Sequence, residues 1–177
     1  QDKKIASLAV RKGKGIILVL NKWDMREGIP NEFRAVSDRV RFLFPVLGFA
    51  PIVPISALKN QGIEKLKRTA LEVFTQLNRQ INTGTLNRLL QQWVDDFPPP
   101  LLQKGRTVRL MYMIQRHHNP VRFRIFGKRT DGLSESYRRY IENRIREDCG
   151  FDKIPVWVDF RESSSQSDGG RENLGGK

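Results

Sequence analysis

Two short apolar runs near the start of this chain each break off into a polar loop, and each loop leads into a stretch with helical periodicity. Ile16-Ile17-Leu18-Val19-Leu20 runs into Asn21-Lys22-Trp23-Asp24, and Ala50-Pro51-Ile52-Val53-Pro54-Ile55 runs into Ser56-Ala57-Leu58. Between them, Phe33, Val36, Val40, Leu43 and Phe44 recur at helical spacing over Glu32 to Phe44. After the turn Lys59-Asn60-Gln61-Gly62, the residues Ile63, Leu66, Ala70, Val73, Phe74 and Leu77 are expected to share one helical face. Strand, loop and helix twice in succession predict the second half of a doubly wound α/β domain, in which ligands sit at the carboxyl ends of the strands. Both polar loops fall at those ends.

The side chains of the two loops suit one ligand chemistry, the guanine base. Guanine offers two adjacent donors, N1–H and the 2-amino group, and one carboxylate can accept both in a fork. Asp24 is the expected acceptor. Adenine has a lone pair at N1 and no 2-amino group, so it leaves a group unsatisfied at a cost of about 1–3 kcal/mol. The aliphatic stem of Lys22 can lie over the purine face while its ammonium stays in water. Asn21 can hold the loop and meet the imidazole side of the base, and the Ala57 N–H can donate to guanine O6, where adenine presents a donor of its own.

Asn21-Lys22-Trp23-Asp24 and Ser56-Ala57-Leu58 resemble the fourth and fifth sequence motifs of TRAFAC-type small GTPases. Further on, Thr85-Leu86-Asn87-Arg88, Phe97-Pro98-Pro99-Pro100-Leu101, Asn119-Pro120, Ser136-Tyr137-Arg138-Arg139-Tyr140-Ile141 and Ile154-Pro155-Val156 resemble the C-terminal KH-like domain of the bacterial Der (EngA) GTPases. The resemblance runs from Gln1 to about Glu162. It implies the fold class, an α/β half of a P-loop GTPase domain followed by an α+β KH-like domain. It implies residues 1–80 as the carboxyl-terminal half of a second G domain, 81–162 as the KH-like domain and 163–177 as a tail. It also implies GTP or GDP as ligand at Asn21, Lys22, Asp24, Ser56, Ala57 and Leu58, and GTP-dependent assembly of the large ribosomal subunit as the parent's role. The implied partners are that subunit with its rRNA and the parent's own G domains.

No Gly-x-x-x-x-Gly-Lys-[Ser/Thr] occurs: Gly13-Lys14, Gly127-Lys128 and Gly176-Lys177 are not followed by Ser or Thr, and there is no Asp-x-x-Gly. The groups that cradle phosphates and hold Mg²⁺ are therefore expected upstream of Gln1, with Gln1 to Val10 as the helix that follows the metal-linked switch. The chain by itself is expected to be inactive in GTP hydrolysis, with no catalytic residue and weak nucleotide affinity. A different class of function stays open: a non-enzymatic RNA- or protein-binding module that retains half of a nucleotide fold.

The 177 residues carry a formal net charge of +13, with a sequence pI of about 10.4. Split at 81 and 162, the three parts carry +8, +5 and 0, so the excess is shared by both expected domains. Such a balance suits phosphate-rich partners, because each neutralised phosphate releases counterions. The single Cys149 reads as a small hydrophobe, and without a second cysteine no internal disulfide forms. With no apolar run near the roughly 20 residues that span a bilayer and no apolar leader, a soluble, cytoplasmic monomer is expected.

Beyond Ile81-Asn82-Thr83-Gly84, the residues Leu86, Leu89, Leu90, Trp93 and Val94 predict an amphipathic helix that Phe97-Pro98-Pro99-Pro100 ends. Strands are predicted over Thr107–Gln115 and Val121–Gly127, a helix over Ser134–Cys149 and a strand over Ile154–Arg161, giving the order αββαβ. Alternation puts Val108, Leu110, Tyr112, Ile114, Val121, Phe123, Ile125, Ile154, Val156, Val158 and Phe160 under the helices. It puts Arg109, Met111, Met113, Arg122, Arg124, Phe126, Pro155, Trp157 and Asp159 on the other face, which is basic and aromatic together. That face is expected to pack against another domain, with Trp157 and the arginines as anchors, or to contact RNA. The Gly-x-x-Gly backbone grip of KH domains is absent. His117 and His118 read as a solvated hairpin tip with no metal, and Ser163 to Lys177, poor in apolar residues, as a disordered tail.

Overall fold

The computed structural model describes residues 2–26, 28, 30–102 and 106–163. Helix α1 (Asp2–Arg11) leads to strand β1 (Leu18–Leu20), a 3₁₀ turn at Trp23–Arg26 and helix α2 (Glu32–Leu43). A second 3₁₀ turn, Pro45–Leu47, precedes β2 (Ile52–Pro54) and α3 (Ile63–Asn78). Strands β1 and β2 pair in parallel, Leu18 opposite Ile52 and Leu20 opposite Pro54. The polar loops therefore leave the same end of this small sheet.

The second sheet follows from α4 (Thr83–Asp96), β3 (Arg109–His117), β4 (Val121–Lys128), α5 (Glu135–Asp148) and β5 (Val156–Glu162), with strand order β3-β4-β5. The hairpin pair is antiparallel, and β5 returns parallel to β4. Both helices start on a side-chain cap: the Asn82 amide oxygen accepts from Thr85 N–H at 2.8 Å and the Ser134 hydroxyl from Tyr137 N–H at 3.3 Å. Leu86, Leu90 and Trp93 of α4 and Tyr137, Ile141 and Ile145 of α5 close over Met113, Val121, Phe123, Ile125 and Ile154. Three large aromatics of these helices have their polar ends satisfied. Trp93 Nε1 donates to Asp148 at 2.6 Å, Tyr137 to the Phe97 carbonyl at 2.8 Å and Tyr140 to the Trp93 carbonyl at 2.9 Å.

Strand β3 departs from the predicted alternation. Its pairing with β4 shifts between Leu110 and Tyr112, and the extra residue reverses the parity beyond it. Met113, expected on the open face, is fully buried and its N–H donates to Asn87 Oδ1 at 2.7 Å. Tyr112, expected under the helices, is 39% exposed and stacks on Phe126 with centroids 4.5 Å apart. Ile114 moves with it, opposite Arg124. Pro155, also expected outside, is buried just before β5 begins.

Helix α3 is turned from its predicted orientation. Thr69, Val73 and Gln76 form its buried stripe, while Ala70 is exposed and Phe74 is 64% exposed. The reason lies in what α3 packs against, the loop from α5 to β5. Gln76 donates to Asp152 at 2.6 Å and accepts from Lys153 N–H at 2.9 Å, and Glu72 pairs with the Lys153 ammonium. Arg79 donates to the carbonyls of Cys149 at 3.0 Å and Gly150 at 3.2 Å, capping α5. These bonds fix the helix rotation more firmly than the apolar residues on its far side. Ser163 N–H donates to the Gly127 carbonyl at 2.8 Å, and the remainder of the expected tail, 164–177, lies outside the described residues.

Candidate guanine-base site and the open sheet face

Asn21 ties the two polar loops together. Its side-chain oxygen accepts from the Lys22 N–H at 2.8 Å and, across 36 positions of sequence, from the Ala57 N–H at 3.1 Å. The Ala57 donor expected for guanine O6 thus meets Asn21 first, which holds that N–H at the mouth of the site. Trp23 N–H donates to the Ile55 carbonyl at 2.9 Å, so the first loop leans on the end of β2. The second loop closes on itself: Ser56 and Gln61 exchange N–H···O bonds of 3.0 Å, and Lys59 N–H donates to the Ser56 hydroxyl at 3.2 Å. Gly62, at φ 75°, starts α3; a β-carbon there would lie 2.5 Å from the Pro54 carbonyl oxygen.

Between the loops lies a cavity of about 290 Å³ lined by Asn21, Lys22, Asp24, Met25, Ser56, Ala57 and Leu58. All six residues expected from the sequence line it together. Lys22 adopts a left-handed φ of 60°, a conformation uncommon for a side chain of its size and one that recurs where a loop is shaped for function. The Ser56 hydroxyl, the Asp24 backbone and the charge of Lys59 hold the Asp24 carboxyl below its ordinary value, against a smaller desolvation effect. It is therefore a charged acceptor at neutral pH. Met25, 77% exposed, and Leu58, 90% exposed, supply the apolar rims that a planar base can slide between.

The face of the second sheet away from the helices is organised in rows across β4 and β5. Arg122 lies opposite Trp157 with its guanidinium 5.6 Å from the ring centre, and Arg124 lies opposite Asp159, bonded at 3.1 Å. Phe126 lies opposite Arg161 on one side and stacked against Tyr112 on the other. Arg109 is exposed at the far end of β3, opposite Lys128, apart from the other three expected residues. His118 at the hairpin tip is bonded to the Gln80 amide at 3.0 Å.

Residues 80–161 match the family model described as the KH-domain-like region of EngA bacterial GTPase enzymes, C-terminal. The chain carries a Der/EngA carboxyl-terminal region. It is 39% identical over 163 residues to the GTPase Der of Treponema pallidum, covering 92% of this chain and 35% of that protein. The Der of Borrelia garinii is 40% identical over 162 residues, 92% of this chain and 36% of its own length. That of Syntrophotalea carbinolica is 36% identical over 166 residues, 94% of this chain and 38% of its own. The chain therefore spans little more than a third of the Der relatives it matches.

Two features of the Der-like site were not visible in the motifs. Met25 enters the cavity through the 3₁₀ turn Trp23–Arg26, which begins inside Asn21-Lys22-Trp23-Asp24, and no spacing rule marks it. Lys59 acts on Asp24 only because the second loop folds back, which the Asn60-Gln61-Gly62 turn signal hinted at. Among the described residues no group of three or more His, Cys, Asp and Glu side chains is placed to hold a metal ion, and no helix is long and apolar enough to cross a membrane.

Proposed function

We propose that this chain supplies the guanine-selecting end and the KH-like domain of a cytoplasmic GTPase that acts in assembly of the large ribosomal subunit. In this reading residues 1–80 are half of a P-loop GTPase domain and 81–162 an αββαβ KH-like domain. The observation that carries the nucleotide reading is the convergence of Asn21, Lys22, Asp24, Ser56, Ala57 and Leu58 on one cavity. The relatives' name, GTPase Der, supports hydrolysis as the parent activity. GTP and GDP are the ligands; Mg²⁺ and the phosphates are held by parts of the protein other than these residues, since the sequence lacks the phosphate-cradling motif. The net charge of +13 supports rRNA as partner.

Discrimination follows from the charge state of Asp24. A carboxylate accepts from guanine N1–H and N2–H, while adenine sets a lone pair against it, and the Lys22 stem, Leu58 and Met25 give the base apolar surface to lie against. The test is a titration of the labelled chain with GMP and with AMP, followed by NMR. The amides of Lys22, Asp24 and Ala57 are expected to shift with GMP and not with AMP. Equal responses to the two would remove the guanine reading.

A further inference from the structure

Helix α1 ends in a turn that joins the first part of the chain to the open sheet face. Gly13 N–H donates to the Val10 carbonyl at 2.7 Å and Lys14 N–H to the Ala9 carbonyl at 3.0 Å, with Gly13 at φ 68°. The turn is pressed against the KH-like domain: a β-carbon on Gly13 would lie 2.2 Å from Pro120 Cβ and 3.0 Å from Trp157 Cη2. Trp157 is thus the joint between the two parts of the molecule, with Gly13 against its ring and Arg122 above it. Arg11, Lys12 and Lys14, all exposed, flank that joint, and none forms an ion pair among the described residues.

From the joint the rows of the sheet continue, Arg122 with Trp157, then Arg124 with Asp159, then Tyr112 with Phe126 and Arg161, each about 6.6 Å from the last along β4. The one acid in these rows, Asp159, is already taken by Arg124. What remains is free positive charge at one end and along the side, and a stacked aromatic pair at the other end.

We infer that the α1 turn and the open sheet face form one composite tract for single-stranded RNA. Lys12, Lys14 and Arg11 take phosphates at the Trp157 end, Arg122 continues the line, and Tyr112 with Phe126 stacks an unpaired base. The strand must be single, because only unstacked bases can present a face to Tyr112. The tract deepens the rRNA reading above and rests on it; what it adds is that residues outside the KH-like domain do part of the gripping. It also replaces the missing Gly-x-x-Gly backbone clamp with a cationic turn from the neighbouring segment.

The test is binding of the 177-residue chain to fluorescent polyuridylate across a salt series. The unaltered chain is expected to bind and to weaken with salt. Lys12→Ala with Lys14→Ala should lower the slope of log affinity against log salt by about 1.4, since each single-strand phosphate contact contributes about 0.7. Tyr112→Ala should weaken binding about tenfold with the slope unchanged, the signature of lost stacking. If the lysine pair leaves affinity and slope unchanged while Arg122→Ala and Tyr112→Ala impair them, RNA is confined to the sheet and the composite tract is wrong. If the unaltered chain shows no salt-dependent binding to polyuridylate, the RNA reading itself fails. Far-UV circular dichroism of each variant separates either outcome from loss of fold.

Discussion

Around the three-stranded sheet, Trp93, Met113, Phe123, Ile125, Ile141, Ile145 and Ile154 are each 1% exposed or less; around the two-stranded sheet Val53 is the only apolar side chain among the described residues that is as deeply buried. On that side Ile5, Leu8, Phe42, Leu71 and Phe74 stand more than half exposed. The KH-like part closes a core of its own between its sheet and α4 with α5, whereas the first part leans on that core through Val73, Ile17 and Leu77. The difference locates the source of order in the two polar loops. They are the termini of a thin parallel pair whose neighbour helix, α3, is bolted to the KH-like domain by Gln76 and Arg79. The geometry of the two loops thus depends on packing far from them.

The largest effect is expected from Trp93→Ala. It removes a fully buried indole and leaves Asp148 without its 2.6 Å donor, so about 3–5 kcal/mol of unfolding free energy should be lost in a urea titration. Because the first part leans on this core, its signal should fall with the rest; retention of the first part alone would break the dependence.

Alkaline pH acts on the same region. Burial pushes the Cys149 thiol from its ordinary value near 9 up to about 11, with Asp148 adding to the shift and Arg79 opposing it. Below pH 9 the thiol is protonated in both states and stability is intact. As pH rises from 9 to 11 the unfolded thiol ionises first, so stability falls, by roughly 2.7 kcal/mol at most for two pH units. The Cys149→Ala variant should show a shallower decline over that window, and an identical slope would contradict the assignment.

Gln76→Ala sharpens the comparison most selectively. It removes the hydrogen bonds to the Asp152 carboxylate and from the Lys153 N–H, at about 1–3 kcal/mol, and should split unfolding so that the first part melts before the KH-like part. A single transition shifted as a whole would mean that the two parts are coupled elsewhere. Gly13→Ala should cost about 1–2 kcal/mol through its left-handed φ alone, and more through the overlap of its β-carbon with Pro120 and Trp157, where the first part meets the hairpin tip and β5. Thermal unfolding of the variant checks it.

Much of this is legible in the sequence. The polar loops, the helical stretches and the caps at Asn82 and Ser134 follow local rules of spacing and hydrogen bonding, and the loops converge as their order on parallel strands demands. Two features escaped because they are decided by partners distant in sequence. The bulge after Leu110 answers to β4 and to Asn87, so simple alternation put Tyr112 and Met113 on the wrong faces. The rotation of α3 answers to Asp152 and Lys153, more than seventy positions away, so helical spacing alone puts Phe74 on the wrong face. Trp157 is an anchor candidate on alternation alone, and nothing in its neighbourhood in sequence points to Gly13 as the surface beside its ring.

The central claim, that the two loops select guanine through Asp24, is tested most directly by exchanging its acceptor for a donor. Asp24→Asn should turn the chain from GMP toward XMP, because the amide donor then matches the carbonyl at C2 of xanthine, and the NMR shifts at Lys22 and Ala57 should follow the new preference. Equal loss of response to both nucleotides would contradict the account and leave Asp24 a structural residue of the loop.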